Sequence, residues 1–382
     1  MTTRQKPDIL EEASEIWFGP QHVSAHGWAT KLTIVGDYVV ECDPHAGYFH
    51  RSAEKVLEYR NFNQGPLVME RLCMLEAFLA EYPYVSAVEK IAGLEVPERA
   101  RVLRTIMMEA SRIHSLQFWW GQFSAELGLF AMLLWPWIDR EYFLDTFEEL
   151  TGSRHTVSFS TPGGVRYDMT EKVAQKLDRA LTRLEERMPK FRDMLMGSPT
   201  FRLRTRGVGL LSGREAIRLG LSGPNVKACG IPMDLRKDMP DPNLAYDLVD
   251  FEVPTVESKE HPGMSDAYDR MVQRFHEVET SVSIIRQLLP HLKPGPVIDP
   301  KARAKTNRLP EGEAYGRVEG TRGITTVWLK TTDKAQTPYR AKVRGPCFNS
   351  YYSLKHLVPG HRFADFIVVF GSLDPYPGWW DR

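Results

Sequence analysis

The sequence is poor in cysteine, and its four cysteines lie far apart. They are Cys42, Cys73, Cys229 and Cys347, and no Cys-x-x-Cys pair occurs in the 382 residues. A self-contained zinc ribbon and a thioredoxin-like redox motif both need such pairs, so the sequence excludes both kinds of site. Scattered cysteines also give no disulfide framework, which favours a reducing compartment.

The sequence also lacks net charge and long apolar segments. Lys plus Arg and Asp plus Glu each number 49, so the formal net charge is zero and no long-range field favours nucleic acid or an anionic membrane. The most apolar stretch, Leu129 to Ile138, is too short for a membrane span, which needs about 20 residues. Met1 to Trp17 is acidic and has no apolar run, unlike a signal peptide. We therefore expect any membrane contact to be made through a partner.

The composition is that of a soluble globular protein, with 42% hydrophobic and 26% charged residues. Residues 1–18 form an acidic leader that we expect to be helical or loose. Alternating polar and apolar residues from Trp28 to Val40, with Gly36-Asp37 in their middle, predict a β-hairpin.

Three long helices are predicted from apolar residues at helical spacing. The first begins at Pro97, with Gly121 as its expected end, and its buried face is Leu103, Ile106, Met107, Ala110 and Ile113. The second has Thr170 as its N-cap, and Pro189 is expected to kink or break it. The third covers approximately Asp266 to Leu289. Long helices of this kind predict a bundle-like core.

The rest of the chain is predicted to form turns and strands. The glycine-rich stretch 206–224 follows no clear strand and is not followed by Gly-Lys-Ser/Thr, so it is interpreted as turns and not as a phosphate loop. Apolar segments at Ile324 to Leu329, Tyr339 to Val343 and Phe366 to Phe370 are predicted to be strands.

A short turn near the start of the chain presents two histidines. It reads GPQHVSAHG (19–27) and contains His22 and His26 between Gly-Pro and Gly. Histidines four residues apart suit a metal site on a helix, but glycine and proline argue against a helix here. From residue types alone, a structural role and a functional role for these histidines both remain open.

Several motifs, taken in order, resemble one family. They are GPQHVSAHG, PHAGYFHRSAEK (44–55), SAVEKIAG (86–93) with VPERA (96–100), TGSRH (151–155) with PGGVRYD (162–168), RGVG (206–209), GLSGPNVKACGIPMDLRK (220–237), PYRAKVRGPCF (338–348) and GSLDPYPGWWDR (371–382). The chain thus resembles the hydrogenase-like large subunit of respiratory complex I (NADH-quinone oxidoreductase), which forms the quinone pocket and is related to nickel-iron hydrogenase large subunits. The resemblance runs from about Gly19 to Arg382.

The resemblance implies an α+β, mainly helical fold. A hydrogenase-large-subunit-like helical core would carry a small N-terminal antiparallel sheet and peripheral C-terminal strands. After the leader 1–18, the implied single domain 19–382 divides into an N-terminal sheet (19–50), a helical core (51–295), and C-terminal strands with a pocket-lining tail (296–382).

The resemblance also implies partners and a location. The family packs against a small subunit that carries a [4Fe-4S] cluster, other peripheral-arm subunits, and a membrane-arm subunit near the point where a lipophilic quinone enters. This chain is expected to bind no cofactor or metal itself, because such a cluster needs four thiolates in a defined spacing. Quinone would be the substrate, nucleic acid is not an expected partner, and the protein would lie at the cytoplasmic face of the membrane, held by its partners.

The family pattern assigns roles to particular residues. His26 matches the histidine that reaches the quinone head group, and Glu126 matches its acidic partner, which is more often Asp in the family. A carboxylate beside an imidazole favours the protonated ring, which can then donate a proton to the reduced quinone. His22 is expected to bind substrate or to shape the turn. Arg51 matches an arginine near the terminal iron-sulfur cluster, where an interface ion pair is the alternative role.

The sequence departs from the family at two places. Complex I subunits have Arg-x-Asp-Tyr where this chain has Arg71-Leu72-Cys73-Met74, and methionine lacks the hydrogen-bond donor of that tyrosine. Tyr376 and Trp379 replace the two C-terminal cysteines of hydrogenases, so we expect no hydrogenase activity. Cys73, Met74 and Tyr376 are expected to line the cavity. From the usual behaviour of a free cysteine, Cys73 is expected to be a small buried residue, with a redox-active thiol in the cavity as the alternative.

Two other histidines receive no catalytic assignment. His155 lies close to a family histidine but is offset in the alignment, so the role of that histidine is not transferred to it. His114, on the helix that begins at Pro97, is expected to be a satisfied core or interface residue.

The sequence therefore predicts a subunit of an NADH-quinone-type oxidoreductase and translocase. It would form the quinone-reduction site together with the iron-sulfur subunit, and the reaction would be coupled to ion translocation. Two alternatives remain open, namely a related membrane-bound complex that reduces a sulfur species or another lipophilic acceptor, and a non-catalytic scaffold.

Overall fold

A computed structural model describes residues 13–21 and 27–382 of the protein. The strands in this part are β1 (Ser14–Phe18), β2 (Ala29–Val35), β3 (Tyr38–His45), β4 (Ser160–Thr161), β5 (Gly164–Val165), β6 (Leu211–Ser212), β7 (Met264–Ser265), β8 (Gly312–Gly320), β9 (Gly323–Thr331) and β10 (Arg340–Arg344). The helices are α1 (Ala53–Tyr59), α2 (Gly65–Met69), α3 (Ala77–Ala92), α4 (Glu98–Glu126), α5 (Ala131–Thr151), α6 (Glu171–Met196), α7 (Pro199–Thr205), α8 (Gly213–Arg218), α9 (Pro224–Lys227), α10 (Leu235–Asp238), α11 (Ala267–Leu288), α12 (Ala302–Thr306), α13 (Cys347–Tyr352), α14 (Leu354–Leu357), α15 (Phe363–Leu373) and α16 (Pro377–Asp381). Short 3-10 turns cover Met74–Glu76, Tyr246–Leu248 and Leu289–His291.

The long helix α4 forms the centre of the fold and packs against α3, α5, α11 and α15. Its predicted apolar face, from Leu103 to Ile113, is fully buried. The expected end at Gly121 is wrong, since the helix continues to Glu126. A Cβ atom at position 121 would lie 2.7 Å from the Leu133 carbonyl oxygen and 2.6 Å from Trp137 Nε1. Glycine is thus needed inside the helix because α5 approaches very closely there.

The other two predicted helices also form. The hydroxyl of Thr170 accepts a hydrogen bond from the Val173 N–H (3.3 Å) and caps α6, which continues through Pro189 without a break. Asp266 caps α11 through a reciprocal pair of hydrogen bonds with Asp269, which satisfies backbone donors at the helix start.

The N-terminal sheet is antiparallel in the order β1-β2-β3. The predicted hairpin forms from β2 and β3, which are joined at Gly36-Asp37. The expectation of a helical or loose leader is wrong for Ser14–Phe18, because this segment pairs along its length with β2. The sheet therefore begins before residue 19.

The C-terminal strands β8, β9 and β10 form a second antiparallel sheet in the order β10-β9-β8, and β8 packs against α3. This confirms the strands predicted near Ile324 and Tyr339. The strand predicted at Phe366 to Phe370 is wrong, since this segment lies in helix α15. A short run of apolar residues suits a buried strand and a buried helix equally well, so its periodicity could not distinguish them.

The described part of the chain contains no helix that is both long and apolar enough to cross a membrane. The apolar stretch from Leu129 leads instead into α5, which packs on α4 and α6.

Candidate functional site

A cavity of about 470 Å³ lies where the C-terminal end of α4 meets the C-terminal tail. Its wall is largely aromatic, and it also carries two carboxylates, two guanidinium groups, an imidazole and a side-chain amide. The lining residues are Trp28, Phe49, Met74, Leu75, Phe118, Trp119, Gln122, Phe123, Glu126, Arg140, His155, Arg322, Phe370, Gly371, Asp374, Pro375, Tyr376 and Pro377. An apolar cavity with a few polar groups is typical of a site for an organic ligand.

Glu126 lies in this wall, in the last turn of α4. The Gln122 side-chain amide donates to its Oε1 atom (3.1 Å) from one turn earlier in the helix. Its other carboxylate oxygen rests against Gly371, where an added Cβ atom would be 2.3 Å away. Glycine at position 371 therefore makes room for the carboxylate in this position.

The predicted partner of Glu126, His26, lies outside the described residues, and so does His22. Trp28, two residues after His26, lines the cavity and stacks on Phe370 with a ring-centroid distance of 4.0 Å. A Cβ atom at Gly27 would lie 2.9 Å from Cδ2 of Phe49, another cavity residue. The chain that follows the two histidines is thus part of the cavity wall.

Cys73, Met74 and Tyr376 were predicted to line the cavity, and Met74 and Tyr376 do so. Met74 is 48% exposed, and Tyr376 lies beneath the Arg322 guanidinium at 5.4 Å. The prediction that Cys73 lines the cavity is wrong, and the expectation of a small buried residue is confirmed, because Cys73 lies behind the wall with no exposed surface. Burial raises the pKa of its thiol well above the usual value, so Cys73 is a neutral thiol at physiological pH.

Arg322 connects these residues, and the sequence reasoning missed it. Its guanidinium donates to Asp374 Oδ1 (3.1 Å) and to Ser115 Oγ (3.1 Å), and it lies 3.6 Å from Glu76 Oε1 and 3.7 Å from Cys73 Sγ. Burial opposes its charge, but the neighbouring carboxylates, led by Asp374, hold the pKa of Arg322 above its usual value. A permanent cation therefore lies in the cavity wall.

Two further lining residues that were given no role in the site are Arg140 and His155. His155 Nδ1 is buried and has no hydrogen-bond partner among the described residues. Burial, followed by the charge of Arg140, lowers the pKa of His155. The TGSRH motif contained the histidine, but no sequence signal connected it to Arg140 on α5.

His114 lies behind Arg140 and is satisfied, as predicted. Arg140 Nε donates to its Nε2 atom (2.9 Å), so the proton is on Nδ1, which donates to the Leu75 carbonyl oxygen (3.0 Å). Burial, and then the charge of Arg140, lowers the pKa of His114 well below 6.5. This ring is therefore held neutral.

The neutral His114 ring is expected to make the fold sensitive to acid. Below pH 6.5 the unfolded chain binds a proton at this histidine and the folded chain does not, so stability falls as the pH decreases, by up to about 1.4 kcal/mol per pH unit. Thermal unfolding measured from pH 7 to pH 5 should show a smaller loss in His114→Gln than in the native protein. An equal loss in both proteins would contradict this assignment.

Arg51 lies outside the cavity, in a neighbouring surface groove that also contains Arg60 and Arg71. Its guanidinium donates to the Arg71 carbonyl oxygen (2.7 Å) and covers the Phe49 ring at 4.4 Å. Arg51 forms no ion pair with a carboxylate in residues 13–21 and 27–382. Its assigned place near a partner's cluster stays a prediction.

The C-terminal tail fixes the loop that carries Phe49. Asp381 accepts hydrogen bonds from the backbone N–H groups of Gly47 and Phe49, each at 2.7 Å. Trp379 Nε1 donates to Glu76 Oε1 (2.6 Å) at the base of the cavity. Tyr376 thus lies in the cavity wall, and Trp379 anchors the segment that follows it. In the described part of the chain, no group of three or more histidine, cysteine, aspartate and glutamate side chains could hold a metal ion.

Comparisons with known proteins agree on one family. Residues 126–382 match the family described as respiratory-chain NADH dehydrogenase, 49 kDa subunit. The chain is 37% identical over 379 residues to an NADH-quinone oxidoreductase subunit of Clostridium beijerinckii, covering 98% of this chain and 99% of that protein. It is also 37% identical over 375 residues to the corresponding subunit of Syntrophobacter fumaroxidans, covering 98% of each chain.

A solved structure has the same fold. One chain in the structure of the membrane-bound sulfane sulfur reductase, an archaeal respiratory membrane complex, superposes with a TM-score of 0.91 at 33% sequence identity. The match covers 99% of this chain and 100% of that chain. This confirms the predicted mainly helical α+β fold.

Proposed function

The chain belongs to the family of the 49 kDa subunit of respiratory-chain NADH dehydrogenase, and on that premise we propose that it forms the quinone-reduction site of a complex I-type oxidoreductase. As a member of this family it is a subunit of a respiratory oxidoreductase complex, so other subunits are its expected partners. The proposal adds the acceptor, the residues that act on it and the coupling to ion translocation.

One observation carries the proposal: Glu126, Met74 and Tyr376, chosen from sequence for this role, line one aromatic cavity. Aromatic walls suit a planar lipophilic head group. Trp28, only two residues after His26, lies in the same wall, and His26 is the proposed proton donor.

In the proposed reaction the quinone takes up two electrons and two protons. An iron-sulfur cluster of the small subunit would supply the electrons, and this chain supplies the binding site and a proton donor, which takes up a proton from solvent between the two transfers. The aromatic side chains hold the quinone ring and exclude water. The Glu126 carboxylate orients the His26 imidazole and favours its protonated form, so the ring can donate a proton to a quinone oxygen. Because Met74 replaces the family's tyrosine, His26 would be the main donor to the head group.

A second acceptor is supported by two observations. The structural neighbour is named for sulfane sulfur reduction, and Met74 offers the quinone no hydrogen bond. Cys73 is a poor candidate for direct sulfur chemistry, because a fully buried neutral thiol is a weak nucleophile. If a sulfur species is the acceptor, it would react in the cavity or at the partner's cluster.

The experiment that separates these acceptors measures electron transfer from the purified complex to a short-chain quinone. We expect the native complex to reduce quinone and to be blocked by quinone-site inhibitors, and we expect Met74→Tyr to lower the KM for quinone by adding a hydrogen-bond donor. If the native complex does not reduce quinone but Met74→Tyr does, the natural acceptor is a different molecule. Unchanged turnover in both His26→Ala and Glu126→Gln would support the scaffold alternative.

A further inference from the structure

Two arginines on helix α11 are fully buried with no ion-pair partner in the described part of the chain. Arg270 donates from Nε to Ser372 Oγ (3.0 Å) and from Nη1 to the Ser265 carbonyl oxygen and Oγ, both at 3.4 Å. Arg274 donates from Nη1 to the Arg270 carbonyl oxygen (3.0 Å) and from Nη2 to Asn225 Oδ1 (3.3 Å). All of these acceptors are neutral. Arg270 Nη2 and Arg274 Nε have no acceptor within the described residues.

These two side chains differ from other buried cations of the fold. Arg104, for example, lies 2.6 Å from Glu89, and Lys227 lies 2.9 Å from Asp234. Burial lowers the pKa of both Arg270 and Arg274 to about 10, so both remain cations at neutral pH. Buried charges without a partner lower the stability of the fold. Proteins keep such destabilising groups mainly at functional sites.

The pair lies directly behind the cavity wall. The Arg274 guanidinium carbon is 4.3 Å from the centroid of Trp119, and Trp119 lines the cavity. Trp119 Nε1 donates to the Gly371 carbonyl oxygen (2.8 Å), next to Ser372, which holds Arg270. One indole ring therefore separates the Arg274 charge from the cavity.

Arg322, the cation that lines the cavity, has its positive charge neutralised by nearby carboxylates, unlike Arg270 and Arg274. Arg322 is balanced by Asp374 at 3.1 Å and by Glu76 at 3.6 Å. Asp374 attracts Arg274 and Asp266 attracts Arg270, but neither carboxylate lies within ion-pair distance of these arginines. Asp374 already faces Arg322, and Asp266 already faces Arg206. The charge of Arg270 and Arg274 is thus less well balanced. Its electric field reaches the cavity through the apolar wall, where the low dielectric constant weakens it little.

We propose that Arg270 and Arg274 are positioning residues that stabilise the negative charge an acceptor gains in the cavity when an electron arrives. The inference rests on the proposed function and uses its cavity and its electron source, the partner's iron-sulfur cluster. A neutral quinone that takes one electron becomes a semiquinone anion, and a second electron with two protons gives the quinol. Fixed cations behind Trp119 stabilise the anion without moving, which is the arrangement that lowers a reaction barrier most effectively.

The test compares the assembled native complex with Arg274→Met and Arg274→Lys, using short-chain quinones of graded reduction potential. We expect Arg274→Met to lower kcat for low-potential quinones about tenfold, with KM unchanged. The quinone potential needed for half-maximal rate should rise by about 59 mV, which corresponds to a tenfold loss in the equilibrium constant for accepting the first electron. Arg274→Lys keeps only part of the charge, because burial lowers the pKa of an amine and lysine does not stack on Trp119 as the guanidinium does, so it should recover part of the rate.

The matched control is Arg192→Met, which also removes an arginine packed against a ring of the bundle. Arg192 lies over Phe275 of α11 at 5.6 Å and pairs with Glu279 on the exposed side of the bundle, so its loss should leave the potential dependence unchanged. Native potential dependence in an intact Arg274→Met complex would overturn the inference.

A second pair of variants tests the charge without removing either arginine. Ser372→Asp would place a carboxylate beside Arg270, and we expect it to shift the potential dependence in the same direction as Arg274→Met, whereas Ser372→Asn should not. These variants decide the question if Arg274→Met does not assemble, and equal behaviour of the two would overturn the inference. Absence of quinone reduction by the native complex would instead overturn the proposed function.

Discussion

Replacing Glu126 with glutamine is expected to slow quinone reduction by the assembled complex by about 10²–10⁴-fold, the usual contribution of a positioned acid or base. Glutamine has the same shape and fits between Gln122 and Gly371, so the complex should assemble normally. It carries no negative charge, so in the proposed mechanism it would no longer favour the protonated form of His26. The measurement is the rate of electron transfer to a short-chain quinone per assembled complex.

The matched control for this prediction is Glu126→Asp, which keeps a carboxylate at this position and should keep most of the activity. His26→Ala is expected to cost about as much as Glu126→Gln. On the proposal that the two residues act as a unit, the double variant should be little worse than either single variant. Full activity of Glu126→Gln would remove this carboxylate from the mechanism.

The long helices were predictable because each repeats its own local pattern many times. Thr170 and the apolar residues that follow it specify α6, and the periodicity of α4 is equally clear over more than three turns. The end of α4 was not predictable, because Gly121 serves the contact with α5 and not a helix end. A sequence reports that glycine is present but not which neighbour requires it.

The family resemblance named part of the cavity, and it could not name the residues that the fold alone brings together. Of the residues it named, Glu126 and Tyr376 line the cavity, whereas Cys73 lies behind its wall. Arg322 reaches the cavity from the turn between β8 and β9 and contacts Ser115, which is 207 residues earlier in the sequence. No local pattern encodes a contact over that distance. Trp119 and Phe370 look like ordinary core residues in the sequence. Only the structure shows that they line the cavity.

Arg322→Met is expected to have the largest effect on stability, because it removes the cation from between two buried carboxylates. Glu76 is 1% exposed and Asp374 is 9% exposed, and burial already raises the pKa of Asp374 despite the opposing charge of Arg322. Breaking a buried pair by removing one partner costs about 3–5 kcal/mol. The melting temperature of the assembled complex should therefore fall clearly, and quinone reduction should fall with it.

A double-mutant cycle identifies the cause of that loss. Asp374→Asn alone should also destabilise the protein, because Arg322 would lose the carboxylate at 3.1 Å. The double variant Arg322→Met/Asp374→Asn should be more stable than the sum of the single losses predicts, since neither charge is then left without its partner. Additive losses would mean that the two residues act independently. In that case the arginine would stabilise the cavity mainly through Glu76 and Ser115, and the cycle repeated with Glu76→Gln should then show the coupling that the Asp374 cycle lacks.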